Sequence, residues 1–166
     1  SGRKRPRTHR KRDDRTQPPR IAPLIFADLT DTEVLTEDWA LRTDFDREHL
    51  TEIDTAELDL DDVTFTECHV VGWNAHRTNF QGARFLQTRI ERLNAPSLRA
   101  RRTTWREVEL LASRIGAAEW YDSDLSQVEI SHSKLGWLNL RASHLTDVVL
   151  RDSRIEELDL SGATLD

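Results

Sequence analysis

The chain has 166 residues, 37% of them apolar and 33% charged, with a formal net charge of −6. That length suits one domain, and no apolar run approaches the roughly 18 residues of a membrane-spanning helix or the core of a signal peptide. The only cysteine, Cys68, rules out an internal disulfide, so a cytoplasmic setting is expected.

Residues 1–20, SGRKRPRTHRKRDDRTQPPR, hold nine Lys/Arg against Asp13 and Asp14 and no apolar side chain except proline. Such a stretch cannot bury enough surface to offset its ordering entropy, which predicts a disordered basic arm. Arms of this kind meet phosphate backbones or other anionic surfaces. Arg3, Lys4, Arg5, Arg7, Arg10, Lys11 and Arg12 are therefore candidate contacts for an anionic partner. The alternative is an arm that only solubilises, or that folds back onto the acidic residues 21–58. Pro18, Pro19 and Pro23 mark an extended linker.

Residues 21–52 read as an N-terminal cap with an irregular first coil. Leu35, Ala40, Phe45 and Leu50 recur every fifth position, but Glu33, Asp38 and Glu48 occupy the places two residues before, where small or apolar side chains belong. A solenoid must hide its first open face under an atypical coil. Ile25, Phe26, Trp39 and Phe45 are the side chains expected to cover it.

From 53 to 166 the pattern is regular. Every fifth residue from Leu60 to Leu165 is apolar, and a second column two residues earlier holds Leu, Val, Ala, Ser or Thr at most positions. From Val108 that column alternates larger apolar with small: Val108, Ser113, Ala118, Ser123, Val128, Ser133. A period of five matches neither a helix nor a strand. It requires a backbone that repeats every five residues, with two side chains inward and three outward, and a square coil of four units satisfies it. Positions twenty apart then stack about 4.8 Å apart, making a solid rod of roughly 26 Å. Cys68 falls in the inward column as a small buried hydrophobe, and Trp105 and Trp120 are core residues packed beside Ala95, Ala100 and Ala117–Ala118.

Units such as SDLSQ, LNLRA and LDLSG make residues 58–166 resemble the pentapeptide-repeat family. The resemblance implies an all-β solenoid, a right-handed four-sided β-helix, over about two thirds of the chain. It leaves function open, since one fold hosts many roles. Family members that mimic B-DNA in shape and charge occupy the DNA site of DNA gyrase, so the resemblance implies a type II topoisomerase as one partner.

No catalytic, metal or cofactor-binding residue emerges from the pattern. The six histidines lack metal-ligand spacing, and phosphate loops, nucleophile elbows and HExxH are missing. Asp124 and His144 share one outward column, a surface ion pair at most. A non-enzyme with no cofactor, no membrane contact and no small-molecule substrate is expected.

Outward columns carry the remaining signals. Residues 77–106 hold eight arginines against Glu91, forming a girdle in which Arg99, Arg101 and Arg102 cluster at one corner as candidate anionic-partner contacts. Arg101, Tyr121 and Arg141 form a ladder suited to cation–π contact. Arg114, Lys134 and Arg154 form a basic ladder; Glu67, Glu107 and Asp147, interleaved with Gln87 and Gln127, form an acidic one. The leading expectation is a rigid interaction scaffold for a protein or nucleic-acid partner. The DNA mimic is second, since the arginine girdle interrupts any continuous acidic face. Leu150, Ile155, Leu160 and Leu165, on the last coil, are candidates for self-association into a dimer.

Overall fold

A computed structural model describes residues 21–166. The chain winds about 7 turns of an all-β solenoid, a right-handed, four-sided β-helix. Its fourteen strands join in one parallel sheet wrapped around the axis. From Asp44 onward partners lie twenty residues apart: Phe65 faces Phe45 and Phe85, Val128 faces Val108 and Val148, Leu135 faces Ile115 and Ile155. The five-residue frame thus sets which side chains meet. Every centre from Leu60 to Leu145 is buried.

The core is a set of side-chain columns. Phe45, Phe65, Phe85 and Trp105 stack with centroid separations of 4.8, 5.4 and 4.1 Å, and Trp120 meets Trp105 edge-on at 4.8 Å. Rings stacked one strand spacing apart fill the interior, so the rod is solid. Thr55, polar where the frame calls for an apolar centre, is fully buried; its hydroxyl accepts from Trp73 Nε1 at 2.9 Å and meets Thr78 Oγ1 at 2.9 Å.

The corners bend through left-handed backbone. Seventeen described non-glycine residues have positive φ, among them Glu67, Gln87, Glu107, Gln127 and Asp147 in one column. The residue after such a corner is often a serine, whose hydroxyl accepts a backbone N–H from the preceding coil. Leu93 N–H donates to Ser113 Oγ (3.1 Å), Ser113 N–H to Ser133 Oγ (3.0 Å) and Ser123 N–H to Ser143 Oγ (3.0 Å). The small residues of the alternating column are thus hydrogen-bonding parts as well as space-fillers.

The N-terminal end is covered by a short 3-10 helix, Thr36–Ala40, whose Trp39 is buried against Phe45. The twenty-residue register already holds at Asp44–Asp46 against Thr64–Thr66, inside the stretch 21–52 assigned to cap and first coil. Ile25 departs from its expected place in the cap: it is 92% exposed. Phe26 lies on the flank instead, stacked on the His69 ring at 5.7 Å. The cause is a polar clamp. Arg89 donates to Leu24 O (3.0 Å) and pairs with Glu109 (2.6 Å), while Glu109 accepts from Leu24 N–H (2.8 Å). This clamp straps residues 21–26 along the side of the rod.

Candidate functional site

With the interior filled, chemistry-bearing side chains project outward in columns. Arg3, Lys4, Arg5, Arg7, Arg10, Lys11 and Arg12 lie outside the described residues. Within the girdle, Arg99, Arg101 and Arg102 are exposed, and Arg99 and Arg101 share a surface hollow with Asn79 and Glu119. Arg99 faces Glu119 in register, so part of its charge is answered on the next coil. Other girdle arginines serve the fold: Arg77 pairs with Glu57 (3.9 Å), Arg92 with Glu52 (2.7 Å) and Arg89 with Glu109. The girdle is therefore less cationic than its composition, because Glu57 and Glu109, each twenty residues from its arginine, and Glu52, forty from Arg92, are brought beside it by the coil.

The expected cation–π ladder does not form. Arg101 donates to Gln81 Oε1 (3.0 Å) and to the Tyr121 hydroxyl (3.5 Å), while Arg141 turns towards Asp159 (3.9 Å). Hydrogen bonding to the phenol holds Arg101 at the ring's polar edge, away from its face. Asp124 and His144 are in register, yet no hydrogen bond or ion pair joins them among the described residues. Histidine–carboxylate pairs occur elsewhere, at His49–Asp31 (2.9 Å) and His69–Glu91 (2.8 Å), and the two imidazoles stack at 5.1 Å.

Cys68 is fully buried, and burial pushes its thiol up to about 11. At neutral pH it is a protonated thiol, donating to Phe45 O (3.4 Å) and Thr66 O (3.3 Å).

On the last coil Leu150 is 42% and Leu165 62% exposed, while Ile155 and Leu160 are half-buried against the core. Leu158, 49% exposed, joins them; it belongs to the inward partner column, whose exposure there the five-residue frame could not flag. Two further surface features escaped the sequence. The Leu24–Arg89–Glu109 clamp spans contacts with no local signature. Trp137 is 38% exposed, although the other four tryptophans are buried.

Among the described residues no cluster of His, Cys, Asp or Glu could hold a metal ion, and no helix is long and apolar enough to cross a membrane. No family model matches the sequence, and no curated protein does. Among solved structures, a trypsin-treated variant of QnrB1, a plasmid-mediated fluoroquinolone resistance protein, matches 72% of this chain at a TM-score of 0.52 and 14% identity. The chain spans 64% of that structure's length. A second trypsin-treated QnrB1 variant matches 74% of the chain and 84% of its own, at a TM-score of 0.44 and 14% identity. The first of these likenesses is one of fold, and it agrees with the five-residue frame and the twenty-residue register: the chain has the right-handed, four-sided β-helix fold that its resemblance to pentapeptide-repeat proteins implies.

Proposed function

We propose that this protein is a non-catalytic interaction scaffold, a rigid rod that presents fixed columns of charge to a macromolecular partner. The observation that carries this reading is the wall-to-wall column of rings from Phe45 to Trp105, which leaves outward side chains to do the recognising. Cations at Arg99, Arg101 and Arg102, with those of the arm 1–20, favour an anionic partner. Capture of partners by the tagged chain, with and without nuclease, tests it. A nuclease-resistant protein partner or a nuclease-sensitive one supports the scaffold. Turnover of a small molecule by the purified chain would overturn it.

A second reading is a DNA mimic that binds a type II topoisomerase. It is favoured by the pairing of Arg77, Arg89 and Arg92 with carboxylates, which removes much of the cationic interruption. Inhibition of gyrase supercoiling by the chain, or its protection of gyrase from a fluoroquinolone, would support this reading; no effect at micromolar chain would remove it. We also propose self-association through Leu150, Ile155, Leu160 and Leu165. Sedimentation should give a dimer that Leu158→Lys with Leu165→Lys converts to monomer, and a monomeric parent chain would refute it.

A further inference from the structure

Arg114, Lys134 and Arg154 stand in direct register on the strands Arg114–Glu119, Lys134–Asn139 and Arg154–Asp159. All three are exposed. Arg89, Arg92, Arg141 and Arg151 each reach a carboxylate, but these three reach none among the described residues. Like charges stacked about 4.8 Å apart repel one another, so the column destabilises the rod unless an anion lies along it.

Beside the column runs a bare floor of Pro96, Gly116 and Gly136. A Cβ on Gly116 would lie 2.4 Å from Pro96 O, and one on Gly136 would lie 2.3 Å from Gly116 O. No side chain fits at Gly116 or Gly136, so their backbone forms the base of an open hollow of about 320 Å³, with Glu156 at one end. Next along the chain from the floor is Trp137, in register with Ala117 and Glu157.

These strands already pair with coils on both sides, so a peptide cannot join as an added strand. What the surface offers is a line of cations, a flat floor and a partly exposed indole. Cations that track a phosphate backbone, with an aromatic ring on which bases stack, are the elements of single-strand recognition. We propose that this face binds single-stranded nucleic acid, with phosphates along Arg114, Lys134 and Arg154 and a base against Trp137. The proposal rests on the scaffold reading but uses residues outside both the arm and the girdle.

The test uses the full chain and a labelled oligothymidylate of about 12 nucleotides, read by anisotropy and by tryptophan fluorescence across a salt series. Binding should quench the emission of Trp137, the exposed tryptophan. Lys134→Glu should weaken binding about tenfold or more and flatten its salt dependence, since a phosphate contact is lost. Trp137→Leu should weaken it about tenfold and remove the quench while keeping the salt slope. Arg47→Gln, on the first coil and paired with Glu67 (3.4 Å), should leave both readouts unchanged, and circular dichroism should be the same for all variants. Wild-type affinity in Lys134→Glu and Trp137→Leu would overturn the proposal while leaving the scaffold reading intact. Failure of the parent chain to bind, or equal competition by polyglutamate, would overturn it as well.

Discussion

Trp105 and Trp120 are both sealed in the core, yet only Trp105 has a partner for its ring nitrogen. Trp105 Nε1 donates to Thr103 Oγ1 at 2.8 Å, whereas Trp120 Nε1 is buried with no partner. Replacing either by Phe removes the same volume. Trp120→Phe also discards a buried, unpaired donor, which costs about 1–3 kcal/mol where it stands. Urea melts should therefore find Trp120→Phe roughly 1–2 kcal/mol less destabilising than Trp105→Phe. The serines carry a parallel lesson. In the sequence, Ser113, Ser123 and Ser133 read as small residues alternating with larger ones, which is correct for volume and silent on bonding. Ser133→Ala barely alters packing but strands the Ser113 N–H, and should cost about 1–3 kcal/mol in the same melts. Volume is legible in a pattern of residue types; a hydrogen bond to a backbone group twenty positions away is legible only once the register is known.

Among elements, the strap at residues 21–26 is the least foreseeable. Its side chains Ile25 and Phe26 suggested a lid on the first coil, because apolar residues before a solenoid most simply cover its end. Arg89 and Glu109 lie more than sixty residues further on and redirect it to the flank. Phe26 stacks on the His69 ring, and the Arg89 guanidinium lies over the Phe26 ring, 5.2 Å from its centre. Arg89→Ala would leave Glu109, 8% exposed, without its counter-charge and remove the donor from Leu24 O. The expected loss is about 2–3 kcal/mol, together with faster proteolysis between Ile21 and Phe26. Adding Glu109→Gln should recover part of that stability, since the stranded charge is gone. By contrast, the inward phase of the strands was legible in the frame, because Leu60 through Leu145 recur at every fifth position and all are buried.

For the whole molecule, strand pairing runs between adjacent coils, so the stability of the stacked strands is close to a chain of nearest-neighbour terms. A charge placed in one core column should release the coils beyond it. Leu140→Asp puts an unpaired carboxylate at a site 5% exposed and should cost several kcal/mol, melting the C-terminal coils. Arg141→Asp, one residue on and exposed, should cost under about 1 kcal/mol. Equal thermal melts for the two variants would contradict the register. The candidate surface was legible in part. The columns Arg114–Lys134–Arg154 and Glu67–Glu107–Asp147 follow from counting in twenties, but which arginines are neutralised depends on rotamers that counting does not give.

The twenty-residue register also makes the rod behave like a screw with four stops per revolution. Inserting one whole unit of five after Ala100 would leave every later core residue facing inward. It would turn Arg114, Lys134, Arg154 and Trp137 together by a quarter turn relative to the coils before Ala100. Inserting one residue would face the core outward and destroy the fold. Gain or loss of whole units is therefore a route by which such a chain can re-aim an outward column while its core side chains still face inward.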